Sequence, residues 1–116
     1  MSSFTIYHNP RCSKSRQTLA LLNERGIEPE IIEYLKWPLS FDDLTSLQQK
    51  LDVPAAAMIR SKEQAFKDLG LNAAPGSQNA LLKAIAVQPI LLERPIVVRG
   101  NHAVIGRPPE NVMELL

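Results

Sequence analysis

The period of hydrophobic and polar positions changes along the chain, and these changes predict the order of its elements. Phe4 to His8 is a short β-rich run that stops at Asn9-Pro10, which predicts a strand ending in a turn. An apolar stripe at helical spacing follows and is closed by Gly26. Ile27 to Tyr34 then predicts a second strand. A helical crossover between two strands favours a parallel, right-handed βαβ unit.

The middle of the chain, residues about 40–88, is predicted to be a helical insertion. Ser40 with Asp43 resembles a capping box at the start of its first helix. Pro54 is predicted at a first helical position, where it begins a short alanine-rich turn that ends near Arg60. The further features predicted here are a helix from Glu63 to Leu69 stopped by Gly70, and a helix from Asn79 to Val87 entered through Pro75-Gly76-Ser77.

The last quarter returns to strand character. Ile96 to Val98 and Ala103 to Ile105 flank Gly100-Asn101, which suits the two-residue turn of a β-hairpin, and a closing helix is predicted from Glu110 to Leu116. This order predicts an α/β, thioredoxin-like fold with a mixed four-stranded sheet. In that architecture a proline before the third strand commonly has a cis peptide bond beside the redox cysteine, and Pro95 occupies this place.

Composition narrows the class of protein. A chain of 116 residues with 45% hydrophobic and 22% charged residues is predicted to be one globular domain, residues 1–116. Its net charge of +1 gives no electrostatic footprint for nucleic acid or a membrane surface. With neither a signal-like N-terminus nor a spanning stretch, a cytoplasmic protein is expected. One cysteine and two histidines are too few for a structural zinc site, so no metal is expected.

The only cysteine, Cys12, lies where Ser13 or Ser15 is predicted to cap the first helix. At the ordinary pKa of about 8.5 only ~3% of a thiol is ionised at pH 7, so a nucleophilic role needs a lowered pKa. A helix N-terminus and the cations Arg11, Lys14 and Arg16 favour the thiolate, and His8 could add a positive charge or a hydrogen bond. The alternative for Cys12 is a buried structural cysteine, and the alternative for His8 is an ordinary surface residue at a strand end.

Serine at position 15 excludes a Cys-x-x-Cys dithiol cycle, and Thr18 stands where a Cys-x5-Arg phosphate loop would have its arginine. Because the chain has no second cysteine, any adduct or mixed disulfide of Cys12 cannot be resolved internally. We therefore expect turnover to need an external thiol.

Several collinear motifs together resemble the ArsC family of glutaredoxin-dependent arsenate reductases. They are Tyr7 to Arg16, Gly26 to Glu30, Ile59-Arg60, Asp68 to Leu71, Arg94 to Val98 and Gly106 to Pro108. The resemblance implies a catalytic Cys12 and three arginines that hold the oxyanion, which by similarity are Arg60, Arg94 and Arg107. A forked guanidinium suits a tetrahedral oxyanion. Without the resemblance, Arg60 could equally be a helix C-terminal cation and Arg107 a surface ion-pair partner.

The resemblance also implies a mechanism. Cys12 attacks arsenate, glutathione enters as co-substrate, and glutaredoxin reduces the mixed species to release arsenite, with no bound cofactor. Arg11, Ser15, Arg16 and Pro95 would support the site. Ser13 and Lys14 stand where the family pattern commonly has glycine and threonine.

Two other functions fit the same scaffold. A glutathione-dependent thiol reductase for another substrate would need Cys12 but not all three arginines. An Spx-type regulator that binds RNA polymerase would share the fold, although such regulators often carry a Cys-x-x-Cys switch that this chain lacks.

Overall fold

The computed structural model describes residues 3–71 and 77–116. The chain divides into two compact units. One comprises the residues up to Trp37 together with Arg94–Leu116, and the other is Pro38–Glu93. The second unit contains the stretch predicted as a helical insertion, while the prediction of a single domain stays a prediction.

The first unit is built on a mixed sheet of four strands. Its elements are β1 (Phe4–His8), α1 (Ser13–Glu24), β2 (Glu30–Glu33), β3 (Ile96–Arg99) and β4 (His102–Ile105). The strand order is β2-β1-β3-β4. β1 pairs with β2 in parallel, whereas β1 with β3 and β3 with β4 are antiparallel. The predicted mixed sheet, its parallel βαβ unit and its hairpin are all confirmed.

Burial alternates along β1, and its buried side chains form one side of the core of this unit. Phe4, Ile6 and His8 are buried, and the residues between them are partly exposed, as expected for side chains on opposite faces of a strand. Phe4 and Ile6 cluster with Leu22 of α1 and Val97 of β3. The helix and two neighbouring strands thereby share one hydrophobic core.

The C-terminal segment completes this core in a form that differs from the prediction. Instead of an α-helix over Glu110 to Leu116, Pro109–Leu115 is a 3₁₀ helix. Its buried residues, Pro109, Val112 and Leu115, recur every third position, which is the period of a 3₁₀ helix. The spacing of the apolar residues therefore selects the tighter helix.

The start of α1 also corrects a prediction. Cys12 itself is the N-cap residue, and its side chain makes no capping hydrogen bond. Ser13 is the first helical residue, and the Ser15 hydroxyl is used elsewhere. The prediction that Ser13 or Ser15 caps the helix was wrong. At the other end, Gly26 adopts a φ of 75°, which a glycine reaches without steric cost.

The second unit is helical within its described residues. Its α-helices are α2 (Phe41–Leu51), α3 (Gln64–Asp68) and α4 (Gln78–Val87), and two short 3₁₀ helices span Ala55–Ala57 and Pro89–Leu91. The capping box is confirmed, because Asp43 N donates to Ser40 Oγ at 3.1 Å and Ser40 N donates to Asp43 Oδ2 at 3.1 Å.

The loops of this unit differ from the sequence expectations in detail. Pro54 is the N-cap of its 3₁₀ helix and not the first helical residue, and the helix ends at Ala57 and not near Arg60. Ser77 caps α4 by accepting from Ala80 N at 3.2 Å, whereas Pro75 and Gly76 lie outside the described residues. Across residues 3–71 and 77–116, none of the helices is both long enough and apolar enough to cross a membrane.

Candidate active site around Cys12

Cys12 lies in a tight turn between β1 and α1. Its backbone N donates to Asn9 O at 3.0 Å, and its own carbonyl accepts from Arg16 N at 3.0 Å as the first turn of the helix forms. The residue is 8% exposed. The sulfur is thus mostly withdrawn from water but placed at the positive end of a helix, where backbone N–H groups lack partners inside the helix.

The environment of the sulfur shifts its ionisation in a definite direction. Burial by itself raises the pKa of the Cys12 thiol, but hydrogen bonds from the backbone N–H groups of Ser15 and Lys14 and from the Arg94 guanidinium outweigh it. The net result is a pKa below the ordinary value of a cysteine. The expected thiolate is therefore favoured, and a residue distant in sequence, Arg94, is one of its causes.

Arg107 is a second cation at the sulfur. Its Nη2 lies 3.4 Å from Cys12 Sγ, and its Nε donates to the carbonyl oxygen of Arg94 at 2.7 Å. Arg94 lies two residues before β3 and Arg107 lies two residues after β4, so the hairpin returns the chain to the same end of the sheet. Two of the three predicted arginines, Arg94 and Arg107, are thereby brought together with Cys12.

Pro95 lies beside this pair and is buried. The Arg94–Pro95 peptide bond is cis, which confirms the expectation for the proline before β3, and the Arg107–Pro108 bond is cis as well. Gly106 N donates to the Pro95 carbonyl at 2.8 Å. The backbone before β3 is thereby tied to the backbone after β4.

The surroundings of His8 disfavour the positive charge that was one of its two predicted roles. Burial lowers its pKa, and the charge of Arg16 lowers it further, against an opposing effect of Glu33. The neutral imidazole is favoured. Its Nδ1 shares a 2.6 Å hydrogen bond with Ser15 Oγ, which also accepts from Asn9 N at 3.1 Å. The pair of His8 and Ser15 was not predicted from the sequence. Its signal was the position of His8 at the end of a strand and of Ser15 in the first turn of the next helix, which brings the two side chains close together.

The other two predicted supporting residues surround the turn. The Arg16 guanidinium donates to Pro10 O at 3.0 Å, which ties α1 back to the loop before Cys12. Arg11 is exposed, and its backbone N donates to Asn9 Oδ1 at 3.0 Å. Arg11 also lines a cavity of about 220 Å³ together with His8, Asn9, Pro10, Glu33, Leu35 and Lys36.

Arg60 lies in the second compact unit, Pro38–Glu93. Its Nε donates to Glu63 at 3.1 Å and its Nη1 to Glu93 at 3.3 Å. The residue lies beyond the end of its 3₁₀ helix, and its backbone N donates to Leu91 O. Anion binding by Arg60 stays a prediction.

A single thiol of lowered pKa at the start of the first helix, flanked by two arginines and a cis-proline, defines a thiol protein of the thioredoxin-like fold. The model of the ArsC family matches residues 7–115, so the chain belongs to the ArsC family.

Similar proteins extend over the whole chain. An arsenate reductase of Haemophilus influenzae is 49% identical over 115 residues, which cover 98% of this chain and 99% of that protein. An arsenate reductase of Neisseria meningitidis serogroup A is 46% identical and covers both chains fully. The solved structure of an arsenate reductase from Vibrio cholerae matches with a TM-score of 0.93 at 49% identity, covering 97% of each chain.

The ionisation of Cys12 can be measured directly. Because the N–H groups and Arg94 outweigh burial, we expect the pH midpoint of iodoacetamide alkylation to lie below that of a short unstructured cysteine peptide alkylated in parallel. The rate should rise with pH through this lowered midpoint as the thiolate forms. A midpoint equal to that of the peptide would contradict the lowered pKa.

The buried Ser15 hydroxyl has a structural cost that a matched variant isolates. Ser15→Ala leaves Asn9 N and His8 Nδ1 without this partner, and we expect a loss of about 1–3 kcal/mol in the free energy of unfolding. Ser13→Ala, at an exposed position of the same helix turn, should change it by less than about 0.5 kcal/mol. Urea unfolding measures both, and equal effects would refute the assignment.

Proposed function

We propose that this protein is an arsenate reductase in which Cys12 is the nucleophile. The observation that carries the proposal is the guanidinium contact at the sulfur, with Arg107 Nη2 3.4 Å from Cys12 Sγ. Arg94 adds a second guanidinium to the same thiol. An anion drawn to this pair meets a nucleophile already favoured as a thiolate. The names of the full-length relatives point to the same substrate.

The first chemical step is nucleophilic attack on arsenic. The thiolate forms a sulfur–arsenic bond and one arsenate oxygen leaves as water after protonation. Charge builds on the remaining oxygens during this step. Arg94 and Arg107 are the groups that stabilise it, because guanidinium groups stay charged and bind tetrahedral oxyanions in a forked geometry.

Arg60 is the third proposed oxyanion ligand. Its Nε and Nη1 are engaged by Glu63 and Glu93, and these bonds fix the direction of the guanidinium within its unit. Its proposed role rests on the family resemblance at Ile59-Arg60, and the variant series below tests it beside the other two arginines.

The reduction itself requires a partner. Arsenic(V) takes up two electrons to become arsenic(III), and two thiols supply them when they form one disulfide. Cys12 is the only cysteine of the chain, so at least one thiol comes from outside. We propose glutathione as this co-substrate and glutaredoxin as the protein that removes glutathione from Cys12. A reducing compartment, the cytoplasm, fits this cycle.

A coupled assay tests the whole cycle. With glutathione, glutaredoxin and glutathione reductase present, we expect NADPH oxidation that depends on arsenate and on the protein. Cys12→Ser should abolish it, because serine is not ionised near neutral pH. Replacing the glutaredoxin system by thioredoxin and thioredoxin reductase should give little turnover. Absence of arsenate-dependent oxidation, with reduction of a glutathione mixed disulfide retained, would identify a thiol reductase for another substrate.

The arginines are expected to act on arsenate far more than on the thiol alone. Arg94→Ala, Arg107→Ala and Arg60→Ala should each lower kcat/KM for arsenate, by about 10²-fold or more where the side chain stabilises the transition state. Alkylation by neutral iodoacetamide should fall much less. Arg25→Ala, an exposed cation at the end of α1, is the matched control and should keep arsenate turnover within about twofold. Equal losses in both reactions would indicate a folding defect.

A further inference from the structure

The loop that follows β4 packs against the helix that carries Cys12. Gly106 is buried in this loop, and its N donates to Pro95 O at 2.8 Å. Its carbonyl oxygen lies 3.4 Å from Thr18 Oγ1 of α1. Gly106 therefore touches both the segment before β3 and the first helix.

There is no room for a side chain at this position. A Cβ on Gly106 would lie 2.8 Å from Thr18 Oγ1, 3.1 Å from Thr18 Cγ2 and 2.9 Å from Pro95 Cγ. Neither neighbour can yield easily. Thr18 is fully buried and β-branched, and its hydroxyl is held by Lys14 O at 2.8 Å, while Pro95 is a rigid buried ring. Added bulk would have to displace the loop itself.

The next residue of the loop is Arg107, whose contact with the sulfur depends on this close approach. Its Nη2 lies 3.4 Å from Cys12 Sγ, within the range of a hydrogen bond to sulfur. Because Cys12 is the N-cap of the helix that contains Thr18, the spacing between Gly106 and Thr18 helps to set the distance between Arg107 and the sulfur. A displaced loop would lengthen this contact and weaken the effect of the Arg107 charge on the thiol.

A second residue holds the loop from its other side. Asn111 Nδ2 donates to Ile105 O and to Arg107 O, each at 3.2 Å, so one amide group bridges the carbonyls on both sides of Gly106. The Ile105 carbonyl also accepts from Arg107 N at 2.9 Å, so Asn111 adds to a turn that the backbone already closes. The loop is thereby packed against α1 through Gly106 and tied to the C-terminal 3₁₀ helix through Asn111.

We infer that Gly106 and Asn111 are positioning residues that hold Arg107 against the Cys12 sulfur. Gly106 lets the loop after β4 pack closely on α1, and Asn111 holds the carbonyl groups of that loop. The inference deepens the proposed function and rests on it for the part that Arg107 plays toward the oxyanion. The contact with the thiol itself does not depend on the identity of the substrate.

A double-mutant cycle on thiol ionisation tests the inference. We compare wild type, Gly106→Ala, Arg107→Ala and the double variant by the pH midpoint of Cys12 alkylation. Gly106→Ala should raise the midpoint, with a loss of about threefold to tenfold in alkylation rate at pH 6, where a shift of one pKa unit is a tenfold change in thiolate. In the Arg107→Ala background the same substitution should have no further effect.

Two results would overturn the inference. An unshifted midpoint in folded Gly106→Ala would show that the close approach does not matter for the thiol. An equal shift in both backgrounds would show that the added methyl group acts through the Arg94–Pro95 segment and not through Arg107. The alkylation midpoint is measured without arsenate, so failure of the inference and failure of the proposed function are distinguished.

Gly26→Ala is the matched control for a merely structural effect. Gly26 has a φ of 75°, and within the described part of the chain its added methyl group would meet no neighbouring atom closer than 4 Å. Alanine there should lower the melting temperature through backbone strain without moving the Cys12 midpoint. If Gly106→Ala does not fold, the same cycle with Asn111→Ala decides. It should raise the midpoint only when Arg107 is present, and no shift would overturn the inference.

Discussion

Ionisation of a buried sulfur is the constraint on which this site depends. Cys12 is mostly withdrawn from water, so its thiolate loses hydration that the protein must replace. The replacement comes from two sources that the fold brings together. The start of α1 supplies the N–H groups of Lys14 and Ser15, and the ends of the β3–β4 hairpin supply two guanidinium groups. The neutral form of His8 is favoured separately, because burial and the charge of Arg16 lower its pKa.

Strand register explains why the arginines arrive at the same place. Ile96 pairs with Ile105 across the hairpin, so residues 94 and 107, each two positions beyond this pair, leave the sheet at the same end. Tyr7 of β1 pairs with Ile96, which places the turn after β1 at that end too. A slip of one residue in the hairpin would turn the alternating side chains to the opposite face and separate the groups. The register of the sheet thus determines that Cys12, Arg94 and Arg107 lie at the same end of the sheet.

Local periodicity predicts much of this arrangement, including β1, α1 and the hairpin, and the place of Cys12 follows from the first two elements. The contact between Cys12 and Arg107 is different, because it joins residues 95 positions apart and only the register of the sheet creates it. From sequence, only the family resemblance indicated it. Tertiary contacts also overrode local preferences. The Ser15 hydroxyl faces His8 and Asn9 instead of capping α1, and burial at every third position selects a 3₁₀ helix at the C-terminal end.

The use of Ser15 bears on how Cys12 is regenerated. Ser15 occupies the position at which a dithiol protein would carry its second cysteine. In this chain its side chain is fully buried and its oxygen is occupied by two partners, so the turn that positions Cys12 also depends on a hydroxyl at that place. A thiol there would be a poorer acceptor for Asn9 N and a poorer partner for His8. The turn that favours the thiolate therefore uses, for a structural hydroxyl, the position of a Cys-x-x-Cys resolving thiol, which agrees with a resolving thiol from outside the chain.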